Sequence, residues 1–450
     1  MKKFNIGIAA LILTALIAGC SKSNVPPPTP LTETPPNKVQ VNVVWTRSTG
    51  NGNDNLGNYN LAPTSKGNVV FVPNQNGMFY ALDLTTGKVL WQKEVDGNIS
   101  TQPNFKSNAV VFGTMKGRLI ALDTITGHKL WTAIMPSSLL SRPTIFGKYV
   151  YTQTHDGSVS AFNIKTGLVV WDATNTTPEI ILTDNSSPIV LNNTVMVGTS
   201  FGTVLGFTAE DGERTINIPI AIAHGSSPAE KMVDIAADPL LYKNFIVFAS
   251  YQGAIVTLNK DNGHMVWAKK SSVVNNISIN KNKIFTTQAD STIKAFNIET
   301  GATVWAQHLL NWRGLSSPIY YKGMIVVSDY EGYLHFFTAA KGRYLGRYKL
   351  TPSSSFFNEG VSRQLIATKK GILVEANNGK VYLVDAHADK IKYDNTLSDY
   401  KLDKGPKVSK ITPYIQQVDL SSYNTESPPT AYQTQAKEMG LNITIPNQLI

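Results

Sequence analysis

Short apolar runs of three to five residues, broken by glycine and small polar residues, recur along most of this chain with a period near 40. The second repeat shows the pattern: Thr144-Ile145 onward, Tyr149-Val150-Tyr151, Val159-Ser160-Ala161-Phe162 and Val169-Val170-Trp171. Runs this short, rich in β-branched and aromatic residues, predict β-strands rather than helices. Asp156-Gly157 and Thr166-Gly167 stand between them, where glycine supplies the positive φ that a tight hairpin turn requires. Four strands per unit of about 40 residues predict a propeller blade. A blade cannot bury both of its faces alone, so neighbours must stack around an axis.

Two markers set the number of blades. The motif Gly-x-x-x-Ala-Leu-Asp-x-x-Thr-Gly-x-x-x-Trp runs from Gly77 to Trp91, and similar segments begin at 117, 157, 202, 253, 291, 332 and 379. These eight starts are 40, 40, 45, 51, 38, 41 and 47 residues apart. Pro63, Pro103, Pro143, Pro188, Pro239 and Pro318 keep the same register, each opening an apolar run. Six of the seven tryptophans fall at or near the end of a last strand, where a flat ring can pack between blades. The pattern is lost after Val384-Asp385, and Val41–Trp45 reads as a final blade strand with nothing before it. The expected fold is therefore all-β: an eight-bladed β-propeller of four-stranded antiparallel blades over residues 41–387, its ring closed by the N-terminal strand. Closure of that kind also removes exposed strand edges.

The ends of the chain point to the cell envelope. Lys2 and Lys3 precede an apolar stretch from Ile6 to Ile17, too short for a membrane span and shaped like a secretory signal peptide. It ends in Leu16-Ile17-Ala18-Gly19-Cys20, which resembles a bacterial lipobox with residues 1–19 removed and Cys20 acylated. Cys20 is the only cysteine, so no disulfide is available. Ser21 follows it, and by resemblance to Gram-negative lipoproteins the lack of an aspartate there implies an outer-membrane, periplasm-facing anchor. Residues 20–40 carry six prolines and read as a lipid-anchored, extended tether; the 19 residues from 22 to 40 at about 3.1 Å each reach roughly 60 Å. Residues 388–450 have low apolar periodicity and read as a mostly irregular extension.

Charge and motif searches narrow the chemistry. The net charge is +10, or +8 once Lys2 and Lys3 are removed, and along the sequence the excess is spread rather than clustered. An exported chain without a helix-based nucleic-acid motif is not expected to bind nucleic acid. Gly198-Thr199-Ser200-Phe201-Gly202 matches a hydrolase pattern, but that motif needs a strand-turn-helix elbow and here falls in a strand-to-strand turn. The seven histidines have no metal-ligand spacing, and no cofactor is expected.

The Ala-x-Asp-x-x-Thr-Gly-x-x-x-Trp repeat resembles the tryptophan-docking motif of quinoprotein-type propellers. That fold hosts pyrroloquinoline-quinone dehydrogenases and the BamB family of outer-membrane assembly factors, so fold alone decides nothing. Ser186-Ser187-Pro188, Leu309-Leu310 through Ser316-Ser317-Pro318, and Asp329 through His335 resemble the BamB family, as do the lipobox and the eight repeats. The dehydrogenases carry a carboxylate cluster for calcium and often a vicinal cysteine pair; neither is present in the sequence. A glycan-binding envelope propeller is a third reading.

The resemblance implies a non-enzymatic scaffold of the β-barrel assembly machinery. Its expected partners are the POTRA domains of the barrel-insertion protein and the machinery's other lipoproteins, with the membrane reached through the lipid. Thr183, Asp234 and Arg313 each stand five residues before a repeat proline, so they share one face of the ring. The loops before Pro188 and Pro239 are also long, and long loops on a rigid ring are where binding residues concentrate. The family's docking loop matches Ile180-Ile181-Leu182-Thr183, with Ile180 and Leu182 as apolar anchors and Thr183 departing from an arginine. A second family loop with two aspartates keeps only Asp234 here, and Arg313 beside Trp312 is expected to place positive charge on the same rim.

Overall fold

The computed structural model describes residues 26–50, 61–178, 180–182, 186–351, 360–361 and 364–388. Cys20, Thr183 and the 389–450 extension lie outside them. The described chain forms eight four-stranded antiparallel sheets. In the first blade β2 (Thr64–Lys66), β3 (Val69–Pro73), β4 (Met78–Asp83) and β5 (Val89–Glu94) follow one another in space as in sequence. Seven blades repeat this order. In the eighth, β1 (Val39–Ser48) lies outside Lys380–Ala388, pairing from Val39 with Ala388 to Ser48 with Lys380 across a bulge between Val43 and Trp45. The ring is closed by the N-terminal strand as expected, and that strand begins two residues before Val41.

The first strand of each blade lines the axis. Asn104 reaches Pro143 O at 2.9 Å and Thr144 Oγ1 reaches Pro188 O at 2.5 Å, so the first strands of neighbouring blades touch. The second and third strands are buried on both faces, whereas the outermost alternates buried and exposed positions. The core is accordingly not one body but a set of layers between sheets, as where Phe79 of blade one stacks on Phe112 of blade two at 4.4 Å.

The tryptophan motif clasps six of the eight blades to the next. Trp131 Nε1 of blade two donates to Ile164 O of blade three at 2.8 Å, and its ring lies where a Cβ on Gly167 would sit, 2.7 Å away. Trp45, Trp91, Trp171, Trp267 and Trp305 do the same on the following blade. The Thr-Gly step of the motif is thus a seat for the preceding blade's indole. Two outermost strands lack it: Ile216 stands at that register in blade four and Gly346 in blade seven.

The segment read as a free tether is packed in its described part. Leu31 joins the apolar cluster of Trp305, Leu310 and Phe337, and Lys38 N donates to Leu345 O at 3.0 Å. Backbone carbonyls of the proline-rich segment serve as acceptors for the propeller, a property that composition does not display.

One buried acid is a liability to the fold. Glu375, in the second strand of blade eight, is buried with Oε2 lacking a hydrogen-bond partner, and burial pushes its carboxyl up to about 8. The folded state keeps the proton that the unfolded chain releases near 4.5, so this contribution is full below that pH and is lost as pH rises toward about 8. Glu375→Gln should therefore raise the melting temperature more at pH 8 than at pH 5. An equal gain at both pH values would refute the assignment.

Candidate partner-docking rim

Antiparallel order puts two sets of loops on each face of the ring. The links between blades and the turns joining second to third strands share one rim; the other two sets of turns share the opposite face. On the rim, the Ser or Thr two residues before the repeat proline holds its link down. Ser186 Oγ accepts from Gly198 N at 3.0 Å, Ser316 Oγ from Ser328 N at 2.9 Å and Thr101 Oγ1 from Gly113 N at 2.8 Å. One position later the side chains join link to link. Ser187 N donates to Asp238 at 2.7 Å, Asn276 bonds Asp238 in both directions, and Asn276 N donates to Ser317 Oγ at 3.0 Å. Equal offsets from the proline are therefore neighbours in the ring, and the rim is tied together from blade four to blade seven.

Ile180 is 48% exposed on the link entering blade four, and Leu182 beside it is half-buried. Asp234, from the link entering blade five, is only 2% exposed and does not offer its charge to a partner. Its Oδ1 accepts the Leu182 backbone N–H at 3.0 Å, so two of the expected residues are in direct contact. Asp234 is itself set by Tyr251 N donating to its carbonyl and by Ile235 N donating to Thr199 O. Burial raises the Asp234 carboxyl above its ordinary range, against the pull of its bonds to Ser200 and Leu182. The carboxylate is a strut beneath the Ile180–Leu182 loop.

Arg313 also lies on this rim, but the positive charge expected from it is turned inward. It is 2% exposed; Nε and Nη2 contact Asp329 Oδ2 at 2.9 and 2.8 Å, and Nη2 contacts Glu331 at 2.6 Å. Nη1 donates to Thr29 O at 3.1 Å, and the Tyr330 ring covers the guanidinium. Behind them the buried His335 contacts Asp329 through Nε2 at 3.0 Å and Tyr344 through Nδ1 at 3.2 Å. Burial lowers the pKa of His335, so at neutral pH it donates Nε2–H to Asp329 and accepts from the Tyr344 hydroxyl. Burial alone would raise Asp329, but its bond from His335, the Tyr333 N–H and the charge of Arg313 hold it below its ordinary value. Burial likewise opposes the charge of Arg313, and Asp329 and Glu331 outweigh it.

Sequence reasoning weighed only the links and so missed exposed apolar residues in other parts of the rim. Met115 and Tyr330 project from second-to-third-strand turns. The available signal was an apolar residue inside a turn where Asn or Gly is usual. Among the described residues no three His, Cys, Asp or Glu side chains gather as a metal site needs.

The basic excess, dispersed in sequence, is gathered on the opposite face. In seven of the eight blades the turn joining the first and second strands holds lysine in or beside it, from Lys66 and Lys106 to Lys369 and Lys370, and none holds a carboxylate. Lys66 reaches Ser107 O and Lys106 reaches Gly147 O, each in the next blade's turn. Lys243, Lys281 and Lys322 sit at φ 52, 56 and 46, a left-handed conformation that lysine disfavours. A residue recurring once per repeat becomes a ring around the axis.

A family model described as outer membrane protein assembly factor BamB matches residues 41–133, 80–307 and 278–401. The chain is similar to a BamB of Francisella tularensis, 59% identical over 445 residues that cover 99% of this chain and 98% of the relative. It is also similar to a BamB of Legionella pneumophila, 38% identical and covering 83% of this chain and 97% of the relative. Among solved structures, BamB from Moraxella catarrhalis aligns with a TM-score of 0.69 at 21% identity, over 77% of this chain and all of that one. A quinohemoprotein alcohol dehydrogenase from Comamonas testosteroni aligns at 0.59 with 13% identity, a likeness of fold alone. With a family model covering the propeller and relatives matched over nearly their full length, the chain belongs to the BamB family.

Proposed function

We propose that this chain is a non-catalytic scaffold of outer-membrane protein assembly. It is anchored by lipid at Cys20 to the periplasmic face of the outer membrane, and it docks the POTRA domains of the barrel-insertion protein on its rim. Family membership supports the scaffold role. The observation that carries the docking surface is the pair formed by Leu182 and Asp234: a buried carboxylate of one blade fixes the neighbouring loop, leaving Ile180 exposed on a rigid base. Apolar anchors presented this way suit a partner pocket without a large ordering penalty. Thr183 extends the same loop. Asp234 and Arg313 act here as supports for the surface rather than as its charges. The chain's other partners in this reading are the lipoproteins of the same machinery; the dehydrogenase and glycan readings draw on the shared fold alone.

The test is a pull-down with the chain from Ser21 onward, using the POTRA region of the same organism's barrel-insertion protein as bait. The Ile180→Asp/Leu182→Asp variant is expected to lose at least about 30-fold in affinity, roughly 2 kcal/mol, while keeping its melting temperature within a few degrees. Wild-type chain that fails to bind any of the POTRA domains, singly or together, would overturn the proposal.

A further inference from the structure

We infer that residues 26–38 are a strap that replaces the missing tryptophan clasp between blades seven and eight, and that it delivers Cys20 to the docking rim and turns that rim toward the bilayer. The membrane part rests on reading Cys20 as the lipid-bearing residue.

The clasp is missing for a topological reason. The outermost strand of blade eight comes from the N-terminus, so its third strand, Lys380–Ala388, has no turn leading into an outermost strand that could seat an indole. Blade seven correspondingly carries Gly346 where other blades carry tryptophan. A Cβ at Gly346 would lie 2.5 Å from Pro36 O, so the strap's backbone occupies the space into which an indole at this position would project. From there the strap climbs the outside of blade seven. Lys38 N meets Leu345 O, Arg347 Nη2 donates to Thr32 O at 2.7 Å, and Leu31 enters the cluster beneath. At the top, Thr29 N donates to Asn311 O at 3.0 Å and Arg313 caps Thr29 O. The residues contacted run from the foot of the outermost strand of blade seven to the link before Pro318. The chain therefore leaves at Pro26 on the rim that bears Ile180.

The reach of the anchor then decides orientation. Six Cα-to-Cα steps separate Cys20 from Pro26, roughly 20 Å at full extension, against roughly 60 Å for a free tether. Strands of about six residues stand about 20 Å tall before their turns are added, so the far face lies beyond this leash. Trp312, 36% exposed, and Tyr330, 47% exposed, flank the exit, and such rings favour a membrane–water interface. The lysine ring lies on the far face and would, acting alone, turn the molecule the opposite way on an anionic bilayer. The two influences make opposite predictions.

The experiment couples the mature chain from Cys20, its only cysteine, to a maleimide lipid in vesicles of phosphatidylcholine with about one-fifth phosphatidylglycerol, a bilayer negative enough to attract lysines. A coumarin amino acid at position 115 reports on the rim and one at position 148 on the far face, with nitroxide-headgroup lipid as quencher. The rim probe is expected to be quenched at least several-fold more than the far-face probe. Leu31→Asp/Arg347→Gln should abolish the difference and speed proteolysis within residues 26–38 at least tenfold, with the propeller's melting transition retained. Equal quenching in the wild type, stronger quenching at position 148, or a wild-type strap cut as fast as the variant's would each overturn the inference. Because the lipid is attached chemically, these outcomes do not depend on acylation in the cell. Metabolic labelling of Cys20 with palmitate tests that reading separately.

Discussion

A chain beginning at Thr49 is expected to lose its cooperative unfolding transition, and a peptide spanning residues 26–48 supplied in trans is expected to restore it. Without β1 the eighth blade has three strands, and the ladder from Val39–Ala388 to Ser48–Lys380 is gone. Trp45 no longer donates to Leu84 O or covers Gly87, and Arg47 no longer reaches Gly87 O at 2.8 Å, so blade eight loses its hold on blade one. Val39 and Trp45 leave their clusters, and each fully buried side chain of that size contributes about 1.5–3 kcal/mol. With the half-buried Val41 and Val43 added, and the strap lost with the strand, the deficit is about 5–10 kcal/mol, comparable to the whole stability of a typical domain. Circular dichroism during a urea titration would measure it. A truncated chain that still unfolds in one transition with an unchanged m-value would show that blades one to seven hold together without closure.

What was legible in the sequence is what each blade must repeat for itself. The glycine and tryptophan of the motif recur because most blades present a seat and an indole to their neighbours, and the Ser or Thr two residues before Pro103, Pro143, Pro188 and Pro318 recurs because those links are tied to the strand below. The closing strand was legible too, since Val41–Trp45 has the form of a last strand without a blade. What could not be read depends on the ring rather than the repeat. The lysines at 66, 106 and 148 look dispersed along a line, and only the fold gathers them at one mouth. The strap looked like a tether because its hydrogen bonds come from backbone groups at Thr29, Thr32 and Lys38. Its one written trace was Gly346, standing where a tryptophan belongs. Asp234 and Arg313 were placed correctly on the rim but assigned the wrong exposure, since a charge five residues before a proline can point along the rim or beneath it. The sequence does not distinguish these until the partner, Leu182 N–H or Asp329, is seen.

Arg313→Ala is expected to lower stability by about 3–5 kcal/mol at pH 7, because removing one member of a buried ion pair leaves the other charge uncompensated. Asp329 is fully buried and would keep His335 and the backbone N–H groups of Glu331 and Tyr333 but no cation, while Thr29 O and Glu331 lose a donor. The pH dependence separates this network from simple loss of packing. In the wild type His335 has a pKa below 6.5, so its neutral form contributes stability above the unfolded value, and that contribution falls away as pH drops below 6.5. Asp329, held below 3.8, contributes at pH values above 3.8 and fails only in stronger acid. Removing Arg313 takes away one of the two charges, with Arg347, that disfavour a protonated His335 and leaves the Asp329 carboxylate bonded to it, which raises the folded-state pKa of His335. The wild-type loss of stability between pH 7 and 5 should then flatten or reverse in the variant. Arg313→Lys, which keeps the charge but not the forked contact to Asp329, Glu331 and Thr29, should be destabilised less and keep the wild-type slope. Urea midpoints at pH 5, 6 and 7 for the three proteins decide the matter. Parallel curves for wild type and Arg313→Ala would mean that Arg313 and His335 are not coupled through Asp329.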